Sequence, residues 1–253
     1  MIAGRPFIAL LLLCALSACA GGTPITEWRH GDTREEALIC IPKGEPPFPA
    51  VVFNHGGVVD NHGLEGAAFK GYDLRGICEA FSQSGFLAFM PIRRGGLQGH
   101  GEDHLRLVGH AFAAVKARAD VDSTRISVAG FSRGGLLTFL AAVRVKEPIV
   151  QSFVCLAPAP GKPGVLQDGL SRVDAIKAPV LVMVEQGDQA IVIEVVDQME
   201  TALLAAGKPH KIVRYDRGNG HALFMTASYF WPDLISFLRN PEQEVDTPKT
   251  VTD

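Results

Sequence analysis

The sequence predicts an α/β fold: a mainly parallel, doubly wound sheet with helices on both faces. Two observations carry that expectation. Short runs rich in β-branched and aromatic residues recur at wide intervals, several of them apolar without alternation, as strands covered on both faces are. Between them lie segments whose apolar residues return at helical spacing, the connections that parallel neighbours require.

At 253 residues with 47% hydrophobic content, the chain can bury one sizeable core and is too short for a second full domain. The formal net charge of -3 offers no broad basic surface to neutralise phosphates, so nucleic acid is not an expected partner. The chain shows neither an internal repeat nor a long low-complexity tract.

The N-terminal stretch "MIAGRPFIALLLLCALSACAGG" has a positive start at Arg5, an apolar core from Phe7 to Leu16 and then small residues, the build of a secretory signal peptide over residues 1–18. Its apolar core is short for a bilayer span. Leu16, Ser17, Ala18 and Cys19 resemble the lipobox of bacterial lipoproteins. That resemblance implies lipidation at Cys19 and, with Ala20 rather than aspartate next to it, an outer-membrane anchor facing the periplasm. The alternative is ordinary cleavage near Ala18 or Ala20, giving a soluble periplasmic protein. Residues 19–26 read as a linker, 27–240 as the folded domain and 241–253 as a polar, disordered tail.

Strands are expected at 36–41, 50–55, 86–92, 125–130, 152–157, 179–184 and 210–215, with helices within "GICEAFSQSG", "EDHLRLVGHAFAAVKARAD", "RGGLLTFLAAVRV" and "IEVVDQMETALLAAG". After removal of the signal, Cys40, Cys78 and Cys155 remain, and at most one disulfide can form among them. Their strand-like and helix-like settings read as buried small hydrophobes.

Ligand chemistry in such sheets sits beyond the carboxyl ends of the strands. There Gly130, Ser132 and Gly134 form Gly-x-Ser-x-Gly between a strand and a helix. A strand turning directly into a helix lifts the serine above the sheet edge and crowds the flanking positions until glycine is favoured. A serine hydroxyl needs a base to take its proton and an acid to orient that base. Asp188 follows one apolar strand run and His221 follows the last, in the order Ser, Asp, His expected on this kind of sheet. Asp197 falls inside a helical pattern, Asp216 is close to His221 in sequence, and His210 starts a strand at the opposite edge and reads as a surface residue, so these competitors fit less well. Gly56 and Gly57, just after a strand, let backbone approach a bound acyl group. The oxyanion donors are assigned to the NH of Arg133 and of Gly57, with Val58 as the fallback and His55 as a structural residue.

The segments "VVFNHGG", "GFSRGG", "APVLVMVEQGD" and "YDRGNGHALF" resemble, in order and over nearly the whole mature chain, the α/β-hydrolases of the dienelactone-hydrolase and prolyl-oligopeptidase-like group. The resemblance implies an α/β-hydrolase fold with little or no cap domain. It also implies a serine hydrolase that cleaves carboxylic esters or related acyl compounds, without cofactor or metal. Dienelactone hydrolases proper use cysteine where this chain has Ser132, and Glu185 stands where relatives often have glycine. The oligopeptidases carry a propeller domain for which there is no room here, which ranks peptide cleavage below ester cleavage. Acyl transfer and a non-catalytic binding protein of the same fold are the alternatives. His100 and His104, one helical turn apart beside Glu102 and Asp103, could suggest a metal; the acids fit better as the solvated first turn of a helix. Arg93 and Arg94 read equally as part of a substrate mouth or as exposed cations. The segment from Pro158 to Asp174 is the only room for a lid.

Overall fold

In chain order the strands are β1 (Ile25–His30), β2 (Thr33–Cys40), β3 (Phe48–Asn54), β4 (Leu87–Ile92), β5 (Val121–Phe131), β6 (Val150–Leu156), β7 (Val180–Glu185) and β8 (His210–Tyr215). The helices are α1 (Gly57–Phe69), α2 (Leu74–Gln83), α3 (Glu102–Lys116), α4 (Arg133–Arg144), α5 (Val165–Leu170), α6 (Ala190–Ala205), α7 (Trp231–Arg239) and α8 (Pro241–Glu244), with 3-10 turns at Val173–Ala175 and Gly220–Phe224. The computed structural model describes residues 23–30, 32–93, 102–144 and 150–245. The signal peptide, Cys19, Arg94 to Gly96, His100 and the tail from 246 onward lie outside the described residues.

The strands join in one sheet in the order β1-β2-β4-β3-β5-β6-β7-β8, antiparallel across β1, β2 and β4 and parallel from β4 to β8. The chain steps one way from β3 to β4 and the other way from β5 to β8. Right-handed crossovers therefore place the helices of the two halves on opposite faces. On one face α2 packs on α7, with Phe81 and Trp231 rings 4.6 Å apart; on the other, α3, α4, α5 and α6 follow one another. This is the doubly wound α/β-hydrolase architecture.

Local chemistry explains the helices. In α2 the Asp73 side chain accepts from the Gly76 amide at 2.8 Å, capping the helix start. Leu74, Ile77, Cys78 and Phe81 fall at helical spacing on the buried face. In α4 every residue from Arg133 to Val143 is buried, because the helix is enclosed by the sheet on one side and α3 and α5 on the others.

Register fixes the site. Asn54 pairs with Gly130, Gly130 with Cys155, Leu156 with Met183 and Glu185 with Tyr215, so the carboxyl ends of β3, β5, β6, β7 and β8 finish along one edge.

Four expectations change. β1 begins at Ile25, inside the expected linker, because Ile25 to His30 pair with Leu38 to Thr33. Residues 57–69, which are not among the expected helices, form helix α1, kinked at Gly63 where φ is 69°. Pro241–Glu244, inside the expected tail, is helical, and Glu244 pairs with Lys211 at 2.5 Å. Cys40 and Cys78 are not merely buried hydrophobes, since they form a disulfide joining β2 to α2, while Cys155 is free and buried as expected.

The bridged cysteines are 38 residues apart, a loop whose closure in the unfolded chain stabilises the fold by about 4 kcal/mol. Cys40→Ala/Cys78→Ala, compared with the oxidised protein by urea unfolding, is expected to lose about that much. Unchanged stability would show that the crosslink contributes nothing.

Candidate active site

β5 ends at Phe131 and α4 starts at Arg133, so Ser132 alone makes the turn. Its φ of 56° lies in the left-handed region that a side-chain-bearing residue enters only under constraint. The constraint is close packing of backbone. A Cβ at Gly130 would stand 2.3 Å from the Gly134 carbonyl oxygen, and one at Gly134 would stand 1.9 Å from that of Asn54. Ser132 is held by its own amide donating to the Leu156 carbonyl at 2.8 Å, and its carbonyl accepts from Leu136 and Ala159.

Asp188 follows β7, and its side chain is fully shielded from solvent. Oδ1 accepts from the Gln189 amide at 2.7 Å, and Oδ2 stands 2.8 Å from His221 Nδ1. With Nδ1 committed to the carboxylate, Nε2 is the nitrogen left for chemistry. His221 lies in the Gly220–Phe224 turn, and its ring packs on that of Phe131, the residue before Ser132, with centroids 4.8 Å apart. Structure thus brings the acid and base together beside the elbow.

Glu185, the last residue of β7, is completely buried. Oε1 accepts from the amides of Arg217 and Gly218 at 2.8 and 3.0 Å, and Oε2 from those of Gly187 and Gly220 at 2.7 and 2.9 Å. The Arg217 amide, followed by those of Gly218, Gly187 and Gly220, holds the carboxyl below its usual range against the opposing effect of burial.

The other side of the elbow holds a buried ionic cluster. Asp60 of α1 pairs with Arg93 at 2.9 Å and with Arg133 at 3.1 Å, its side chain 1% exposed. Arg133 also contacts His104 Nδ1 at 2.9 Å. His55 Nε2 accepts from the Arg93 amide at 3.1 Å, which puts the ring proton on Nδ1, where it donates to the Gly56 carbonyl at 3.0 Å. Burial, reinforced by the charge of Arg93, lowers the His55 pKa to about 3, so the ring stays neutral and structural, as expected.

Arg93 is therefore neither a mouth residue nor an exposed cation. His104 is buried against Arg133, while Glu102 and Asp103 are exposed in the first turn of α3 as expected, and among the described residues no cluster has the makings of a metal site. His210 does start a strand, but it is buried, with Nδ1 2.7 Å from the Lys208 carbonyl oxygen. Asp197 is in α6, paired with Arg214 at 2.8 Å.

Gly57 and Arg133 are the first residues of α1 and α4, and amides in a first helical turn lack intrahelical acceptors. The Gly56 amide is taken by the Tyr72 hydroxyl at 3.2 Å and that of Val59 by the Gly56 carbonyl, which leaves Gly57 and Val58 as the donors to consider on α1.

Residues 97–231 match the dienelactone hydrolase family, more than half of the chain. The chain belongs to the dienelactone hydrolase family. Solved structures resemble it over most of its length. One, from Klebsiella pneumoniae and provisionally described as a dienelactone hydrolase, is 22% identical, with a TM-score of 0.66 over 86% of this chain and 98% of that one. An acetyl ester-xyloside bifunctional hydrolase from Caldicellulosiruptor lactoaceticus is 16% identical, with a TM-score of 0.68 over 89% and 99%. An acylaminoacyl peptidase from Pyrococcus horikoshii is 15% identical, with a TM-score of 0.67 over 90% of this chain but only 42% of the peptidase. At these identities the likeness establishes the fold. No curated protein matches the chain significantly.

Within this family the chain is an α/β hydrolase of the serine-hydrolase type. Sequence reasoning did not find the Asp60 cluster or the four amide bonds of Glu185. A charged residue such as Asp60 carries no mark of burial in the sequence.

A histidine with a folded pKa near 3 and an unfolded pKa of about 6.5 makes its full contribution to stability above pH 6.5 and loses it as pH falls toward 3. The unfolding free energy should therefore fall by about 1 kcal/mol per pH unit between pH 6 and 4 from this group. His55→Gln should flatten that slope in urea titrations at each pH, and an unaltered slope would remove His55 as its source.

Proposed function

We propose that the protein cleaves carboxylic esters or related acyl compounds through an acyl-enzyme formed on Ser132. The observation that carries this reading is the left-handed Ser132 at the strand-to-helix turn, with the His221–Asp188 pair lying against the ring of the preceding residue. Ser132 Oγ attacks the carbonyl carbon as His221 Nε2 takes its proton. Asp188 stays ionised and stabilises the imidazolium through Nδ1–H. The amides of Arg133 and Gly57, with Val58 as the alternative second donor, stabilise the oxyanion at two helix N-termini. His221 then protonates the departing alcohol, and water activated by the same base releases the acid.

Ester cleavage is favoured over peptide cleavage because the chain spans less than half of the peptidase it resembles, whereas it spans nearly all of an acetyl ester hydrolase. Between β6 and β7 the short α5 and the 3-10 turn at Val173–Ala175 intervene, α5 tied back to α4 by Arg144 and Asp168 at 2.9 Å, which suits an open cleft and small or medium acyl groups.

Export and a lipid anchor on Cys19, at the outer membrane facing the periplasm, complete the proposal. The Cys40–Cys78 disulfide supports an oxidising compartment. No helix among the described residues is long and apolar enough to cross a membrane.

Labelling by a fluorophosphonate and turnover of a panel of acyl esters test the chemistry. The wild-type protein should label, and Ser132→Ala should neither label nor retain kcat within about 10⁴- to 10⁶-fold, with Asp188→Ala leaving more residual activity. Lack of labelling with the intact protein would favour a binding protein of the same fold, and product formation only with added alcohols would favour an acyltransferase. For the anchor, cells fed labelled palmitate should incorporate it into the wild-type protein but not into Cys19→Ala. Equal incorporation would exclude that site.

A further inference from the structure

The acid and the base of the proposed triad sit on two different connections, residues 186–189 after β7 and 216–221 after β8. The β7–β8 ladder ends at the pair Glu185 and Tyr215, so strand pairing does not reach either of them. Beyond it, the Glu185 carboxylate spans both connections. Oε2 accepts from the amide of Gly187, the residue immediately before Asp188, and from that of Gly220, the residue immediately before His221. Oε1 accepts from Arg217 and Gly218 in the second connection.

We infer that Glu185 is a positioning residue: one buried oxygen atom sets the separation of Asp188 from His221 by binding the amides directly ahead of each. The proposal rests on the serine-hydrolase reading above. Bonds to an ionised acceptor are about twice as strong as neutral ones, and a carboxylate taken fully out of water holds its place only while its donors are in place. The glycines fit the same device. A Cβ at Gly187 would stand 2.9 Å from Oε2 itself, and one at Gly220, where φ is +52°, would stand 3.0 Å from the Gly187 carbonyl oxygen. Asp188 adds a turn to the same residue, its amide donating to the Glu185 carbonyl at 3.0 Å. Since a displacement of about 1 Å in a reacting group lowers turnover by about 10²-fold, loss of the carboxylate is expected to appear in kcat.

Glu185→Gln keeps the shape, leaves one acceptor oxygen and turns an NH₂ group toward amide hydrogens. Its kcat for a chromogenic ester should fall by about 10- to 100-fold with KM within about 3-fold. The low-field proton resonance of the His221 Nδ1–H should move or broaden. Because Glu185 acts through Asp188 and His221, E185Q/D188A should lose no more than about 2-fold beyond D188A alone. Gly187→Ala, which keeps every charge and pushes on Oε2, should reproduce the kcat loss and serves if Glu185→Gln does not fold. Wild-type kcat in both single variants, or losses that multiply in the double variant, overturns the proposal. Retained activity in Ser132→Ala would instead overturn the serine-hydrolase reading, so the two failures are distinguishable.

Discussion

The turn at Ser132 exists because the first turn of α4 lies almost in contact with the backbone of β3. Gly134 approaches the Asn54 and His55 carbonyls so closely that no side chain fits between them, and Gly130 meets the Gly134 carbonyl in the same way. This approach forces Ser132 into the left-handed region and leaves it at the edge where five strands end. Two helices start near this turn, α1 at Gly57 and α4 at Arg133, and amides in a first helical turn lack intrahelical acceptors.

Two buried acids then fix what the sheet alone leaves free. Each is satisfied in a different way, and the difference suits its place. Asp60 is neutralised by the guanidinium groups of Arg93 and Arg133, so α1, the end of β4 and the start of α4 are held as one body. Glu185 meets no cation within this network and relies on four backbone amides, which tie two connections that lack regular pairing. A buried carboxylate without such partners would cost several kcal/mol, so each acid strongly disfavours arrangements in which its neighbours move apart.

His55 and Tyr72 complete the wall behind the first of these clusters. The imidazole links the Gly56 carbonyl to the Arg93 amide, and the Tyr72 hydroxyl accepts from the Gly56 amide while its ring packs 5.4 Å from that of Phe131. Phe131 in turn carries the ring of His221, so the histidine rests on the residue that leads into Ser132. Packing and polar bonds thus form a continuous path from α1 to the histidine turn.

Sequence by itself determined the seven strands from β2 to β8, four of the helices and the family, because strand composition, helical spacing and glycine crowding are local signals. The fold was legible there, and the sequence singled out Asp188 and His221, which the structure pairs, and His55 as a structural residue. Tertiary structure alone decided which charges are buried. Arg93 reads equally as a mouth residue or an exposed cation, and His104 as a candidate metal ligand, until distant segments enclose them with Asp60, and Glu185 reads as a departure from the pattern of relatives until four amides from two connections converge on it. It also decided the Cys40–Cys78 bridge, the β1 pairing and the docking of α8 through Glu244, since each joins segments whose proximity depends on how the whole chain folds. Local patterning is written in neighbouring residues, whereas burial and long-range pairing are properties of the packed chain.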